Sequence, residues 1–111
     1  MTYISFEIYN YSISIHRPLA DSTTAVIKCN CGGPIWFFRN ALWINFYPPH
    51  IARTAENYIS PFTFGIIKYY TVVLSVSSEK YVWILDLLRN ENPVYCSFET
   101  GSPESVKIEK I

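Results

Sequence analysis

Between residues 3 and 16, apolar and polar side chains alternate with a period of two, and the phase of that alternation slips once. Ile4, Phe6 and Ile8 stand against Ser5 and Glu7; beyond Tyr9-Asn10, Tyr11, Ile13 and Ile15 stand against Ser12 and Ser14. A period of two is the mark of a strand with one buried face. A one-residue slip would carry every later side chain to the opposite face, so a bulge or tight turn is expected near Asn10.

The remainder reads mostly as further strands. Residues 17–22 form a loop, because Pro18 pushes its neighbour out of the helical region and cannot donate to a ladder. Residues 23–29 are extended and are broken by Asn30-Cys31-Gly32-Gly33-Pro34. Two aromatic-rich runs, 35–38 and 42–47, suit a hairpin turning at Arg39-Asn40 and closed by Pro48-Pro49. A short helix is expected near 49–59, with Pro49 in its first turn and Ile51, Ala55 and Ile59 on one face, ended by Ser60-Pro61. Residues 64–76 read as one long strand in which Ile66, Lys68, Tyr70, Val72, Leu74 and Val76 share a parity.

A helix near 78–90 carries the clearest pattern. Ser77-Ser78 supplies a cap, and Glu79 lies where the helix dipole favours a negative charge. Tyr81, Ile84, Leu85 and Leu88 make the apolar stripe, while Trp83 projects away from it. Pro93 ends the helix by Asn92. Val94, Cys96 and Phe98 then alternate with polar neighbours, the chain turns at 100–103, and Val106 and Ile108 sit in a charged, edge-like strand. The expectation is a single α+β domain over 1–111. Its sheet is mainly antiparallel with six or seven strands, and the helix lies on one face.

Charge and cysteine usage narrow the class. Nine basic residues balance nine acidic ones, which argues against a generally basic nucleic-acid binder. No apolar run reaches the roughly 18–20 residues of a membrane helix, and the first residues lack a secretory leader, so no membrane association is expected. Three cysteines are too few for a secreted disulfide framework. These features together point to the cytoplasm.

Catalytic patterns are missing. There is no phosphate-binding glycine loop. His16, Asp21 and Ser22 lie close in sequence without the context of a nucleophile triad. Cys29 and Cys31 could present two thiolates, with His50 as a third group, to a metal or a thiol reaction. A tetrahedral site needs four ligands, and further donors are scattered, so packing is the better reading of this pair. No cofactor is expected, and a catalytic role is disfavoured.

The aromatic content, 17% of the chain, is the remaining clue. A small domain has little interior for so many rings, and rings gathered on a surface mark an interface. Trp36, Arg39, Trp43, Tyr47 and Trp83 are the expected contacts of a non-catalytic binding module, self-associating as a homo-oligomer (a dimer for preference) or docking another protein. Residues 22–55 hold no acidic side chain, which opens an alternative. There Lys28, Arg39 and Arg53 would hold the phosphates of single-stranded nucleic acid, or of a nucleotide, while Trp36 and Tyr47 stack bases.

Overall fold

The structure, a computed structural model, describes residues 2–15, 23–35 and 37–110. Seven strands make one sheet: β1 (Tyr3–Ile15), β2 (Ala25–Cys31), β3 (Ala41–Tyr47), β4 (Tyr58–Phe64), β5 (Ile67–Ser77), β6 (Val94–Glu99) and β7 (Ser102–Lys110). Their spatial order is β4-β5-β3-β2-β1-β6-β7. All neighbours pair antiparallel except β3 and β5, which run parallel because α1 (Pro49–Ala52) and β4 lie in the connection between them. The second helix, α2 (Tyr81–Asn90), follows a 3₁₀ turn over Ser78–Lys80. This is the α+β class expected, dominated by sheet.

The phase slip in β1 is a bulge at the expected place. Residues 3–8 pair with β6, residues 8–15 pair with β2, and the register shifts between Ile8 and Asn10. One extra residue there returns Tyr11 to the core side that Phe6 and Ile8 already face. It also lets β1 act as a corner, a strand that belongs to two halves of the sheet and bends between them. The β6–β7 half then folds over the inner face of the other. Phe98 of β6 meets Phe6 at 6.0 Å and Tyr70 of β5 at 5.2 Å between ring centres, both edge to face.

Inside this curl Ile27, Cys31, Leu42, Ile44, Phe46, Val72, Cys96 and Phe98 have no accessible surface. Helix α2 lays its stripe on the same core: Ile84 is buried, Tyr81, Leu85 and Leu88 pack beside it, and Tyr81 stands edge to face on Phe46 at 5.0 Å. The Ser77 hydroxyl caps the 3₁₀ turn that leads into it, accepting from the Glu79 N–H at 3.3 Å, whereas α2 itself begins after Lys80 without a side-chain cap.

Four expectations are corrected. The expected hairpin with 42–47 is not formed: Ile35 and Phe38 make an isolated bridge with each other, and β3 pairs with β2 and β5. The cause lies in Asn40. Its amide is buried, donating to the Gly32 carbonyl at 2.6 Å and accepting from the Tyr70 N–H at 2.7 Å, which fixes it between strands instead of at a hairpin tip. Strand β2 runs on through Asn30 and Cys31 and stops only at Gly32. The helix near 49–59 is a single turn that buries nothing, and residues 58–64 are strand β4. Pro61 is accommodated because β4 is an edge strand. Finally, residues 64–76 are divided by a two-residue turn at Gly65-Ile66, where Gly65 takes φ of 63°, so Phe64 belongs to β4 and Ile67 opens β5. The loop expected at 17–22 lies outside the described residues.

The two edges of the sheet, β4 and β7, approach each other without pairing. Asn57, just before β4, spans the gap: its Oδ1 accepts from the Ser75 N–H at 2.9 Å and its Nδ2 donates to the Pro103 carbonyl at 3.0 Å.

Candidate interaction surface

One face of the β2-β3-β5-β4 half is filled by the core and α2; alternate residues of the same strands form the outer face. The registers place Lys28, Trp43, Val73 and Tyr58 directly opposite one another on four neighbouring strands. Trp43 is 41% exposed and Tyr58 61%. The Lys28 ammonium sits 4.5 Å above the Trp43 ring, a cation–π contact that fixes the indole and leaves part of it to solvent. Farther along the strands the rings continue: Phe62 stacks on Tyr69 at 5.3 Å, and Phe38 contacts Tyr69 at 5.4 Å and Phe64 at 5.3 Å. Phe62 and Phe64 are exposed. Seven large apolar or aromatic side chains therefore share this face in two groups over three strands and the loop beside them, with the small Ala41, Thr71 and Ser60 between the groups.

The edge of this face is uncharged. Counting back from the hydrogen-bonded pair that flanks a two-residue turn, Phe64↔Ile67, puts Pro61 among the residues whose backbone points away from β5. A proline there offers no donor to an incoming strand, so β4 is blunted against edge-to-edge pairing. The other edge, β7, carries Lys107, Glu109 and Lys110 instead.

The residues singled out in the sequence do not form one site. Trp43 is central to the outer face, and Tyr47 shares its strand face, half-buried. Trp83 is 63% exposed on α2, which covers the opposite side of the sheet. Arg39 is exposed in the loop before β3, and Trp36 lies outside the described residues. Of the three basic residues assigned to nucleic acid, Lys28 is on the outer face, whereas Arg53 follows α1 and lines an open groove with His50, Ser75, Ser77 and Lys80. Tyr58, Phe62, Phe64 and Tyr69 are not singled out by sequence pattern, because a helix near 49–59 ended by Ser60-Pro61 and an undivided strand over 64–76 hide the hairpin that carries them. The signal available was Gly65.

Cys29, Cys31 and Cys96 are free thiols facing the core. Burial pushes Cys29 and Cys96 up to about 12 and Cys31 further, the last also because the other two thiols lie near it. They are poor nucleophiles held as packing groups. His50 is exposed and distant in role from the cysteines, and among the described residues no three His, Cys, Asp or Glu side chains gather as a metal site.

On the β1-β6-β7 half the outer face is polar. Ser97, fully buried, donates to Glu109 at 3.1 Å and accepts from the Ser5 hydroxyl at 3.0 Å. Glu109 also accepts from Tyr3 and pairs with Lys107 at 3.5 Å. The Ser97 hydroxyl, with help from Lys107 and Tyr3, holds the Glu109 carboxyl below its ordinary value. The ring-rich field therefore ends at β3, with Lys28 of β2 at its border, and a hydrogen-bonded polar field that includes Tyr3 occupies the β1-β6-β7 half.

No helix among the described residues is long and apolar enough to cross a membrane. Comparison with protein-family models, with curated proteins and with solved structures finds no match for this chain.

Proposed function

We propose that this chain is a non-catalytic binding module that self-associates through the outer aromatic face. The observation that supports this reading is the row of Trp43, Val73 and Tyr58, followed beyond Ala41, Thr71 and Ser60 by the Phe62, Tyr69, Phe38 and Phe64 ring cluster, on a sheet face that no helix or strand among the described residues covers. Exposed rings on neighbouring strands favour a flat, apolar partner surface, and a second copy of the same face is one. Lys28, engaged with Trp43, is the single charge in the row, so the face asks for no partner of opposite sign. Blunting of β4 by Pro61 favours face-to-face stacking over strand addition. Free, buried thiols suit a reducing compartment, and we place the protein in the cytoplasm.

Light scattering tests this reading. The chain is expected at twice its monomer mass, and Trp43→Ser combined with Phe62→Ser is expected to return it to monomer with an unchanged circular dichroism spectrum. A monomer at several hundred micromolar would overturn the proposal. The Lys28–Trp43 pair on an open sheet gives a second reading, base stacking by single-stranded nucleic acid. It requires salt-dependent quenching of Trp fluorescence by an oligonucleotide, which self-association does not produce.

A further inference from the structure

The gap between the two sheet edges is a pocket. Ile59 and Pro61 of β4, Lys68 and Tyr70 of β5, and Gly101 and Pro103 at the β6–β7 hairpin line a cavity of about 250 Å³. It exists because the sheet curls far enough to bring β4 to β7 but does not close. Neither Pro61 nor Pro103 can donate a backbone hydrogen bond, and Asn57 takes the Pro103 carbonyl through its side chain. Closure of a curled sheet hides its edges; here the edges are left apart, with apolar walls and a floor made by Tyr70, whose ring rests on Phe98.

The pocket holds one charge. Lys68 is exposed, its ammonium stands 5.9 Å from the Tyr70 ring centre, and it makes no ion pair among the described residues. Among the described residues no acidic side chain lines the cavity. The nearby carboxylate of Glu104 accepts from the Ser102 hydroxyl at 2.7 Å. A lone ammonium over apolar walls is complementary to a single anionic head on an apolar body. The cavity is smaller than the roughly 300–1,000 Å³ of drug-sized sites, which restricts the body to a single ring or a short chain. We propose that the seam binds a small apolar monocarboxylate, with its carboxylate on Lys68 and its body between Pro61, Pro103 and Tyr70.

Benzoate is the probe, titrated into the full chain and followed by backbone amide NMR. Saturable shifts are expected at Lys68, Tyr70 and Gly101, with the neutral isostere benzamide weaker by about tenfold, the size of one charge-assisted contact. Lys68→Met should weaken benzoate by a similar factor, and Lys68→Arg should restore it; Lys68 is exposed, so neither change threatens the fold. Absence of saturable shifts, equal binding of benzamide, or undiminished binding by Lys68→Met would each overturn the proposal. Trp43→Ser is expected to leave the titration unchanged, because the seam does not depend on the outer face.

Discussion

Tyr70 and Phe98 meet edge to face at 5.2 Å although three strands stand between β5 and β6 in the sheet. That contact is the closure of the curl, and Phe98, without accessible surface, also carries Phe6. Phe98→Ala is expected to cost about 3–5 kcal/mol, the range for large core aromatics. Such a loss approaches the whole stability of a small domain. Phe98→Leu should fold with a smaller loss. Urea denaturation checks both; a loss below about 1 kcal/mol for the alanine variant would mean that the two halves do not support each other.

The Asn40 amide ties β5 to the loop before β3 by two short hydrogen bonds. Asn40→Leu leaves the Tyr70 N–H and the Gly32 carbonyl without their partner, at about 1–3 kcal/mol for each group left unsatisfied. Asn40→Asp keeps the acceptor for Tyr70 but turns a donor into an oxygen facing the Gly32 carbonyl. The new carboxyl is favoured in its protonated form, so its folded pKa is raised. Stability is then retained at acid pH and lost as pH rises through that value. A melting temperature that is independent of pH between 4 and 7, relative to the parent chain, would show that the amide is not held as described.

These cases show what could be read without coordinates. The bulge near Asn10 and the helical stripe of Ile84, Leu85 and Leu88 were legible because each is a local period broken or kept by core packing. Strand β4 was not, because Pro61 reads as a terminator unless the strand is known to lie at an edge, and edge position is set by non-local pairing. The same holds for the parallel β3–β5 pair. Parity misled at Gly65: Ile66 continues the alternation of β5 yet sits fully exposed in the turn. Trp43 was found because its strand was found; Tyr58, Phe62 and Phe64 were lost with theirs. Asn57 had no sequence signal at all, since its role depends on two edges meeting.

Gly33 is required by closeness of backbone. A Cβ there would strike the Phe38 carbonyl oxygen and the Arg39 Cα, neither of which can swing aside. Gly33→Ala should therefore force residues 33–39 apart and cost about 1–3 kcal/mol, the usual range for overpacking. Because Phe38 stacks on Phe64 and Tyr69, the same change is expected to loosen the outer face and weaken self-association. Gly32→Ala is the control: the atoms nearest its Cβ belong to the Tyr9 side chain, at 3.2 Å or more, and a surface tyrosine can shift. Equal melting temperatures for the two variants would contradict the contact.

The three thiols give the fold an alkaline limit. An ordinary thiol here would titrate at 9.0, and burial raises Cys29 and Cys96 to about 12, with Cys31 raised further. Their folded pKa values lie above the unfolded ones, so the unfolded chain releases protons first as pH rises. The stability they contribute is complete below pH 9 and is lost as pH rises from 9 through the folded values, about 12 for Cys29 and Cys96 and higher for Cys31, at up to about 1.4 kcal/mol per pH unit for each thiol. Urea midpoints measured at pH 7, 9 and 10.5 should be level and then fall, and Cys96→Ala should make the fall shallower. Native protein at pH 8 is also expected to resist a thiol reagent that labels all three cysteines after unfolding. Rapid labelling of Cys29 or Cys31 in the folded chain would show that the pair faces solvent and would reopen the case for thiol chemistry there.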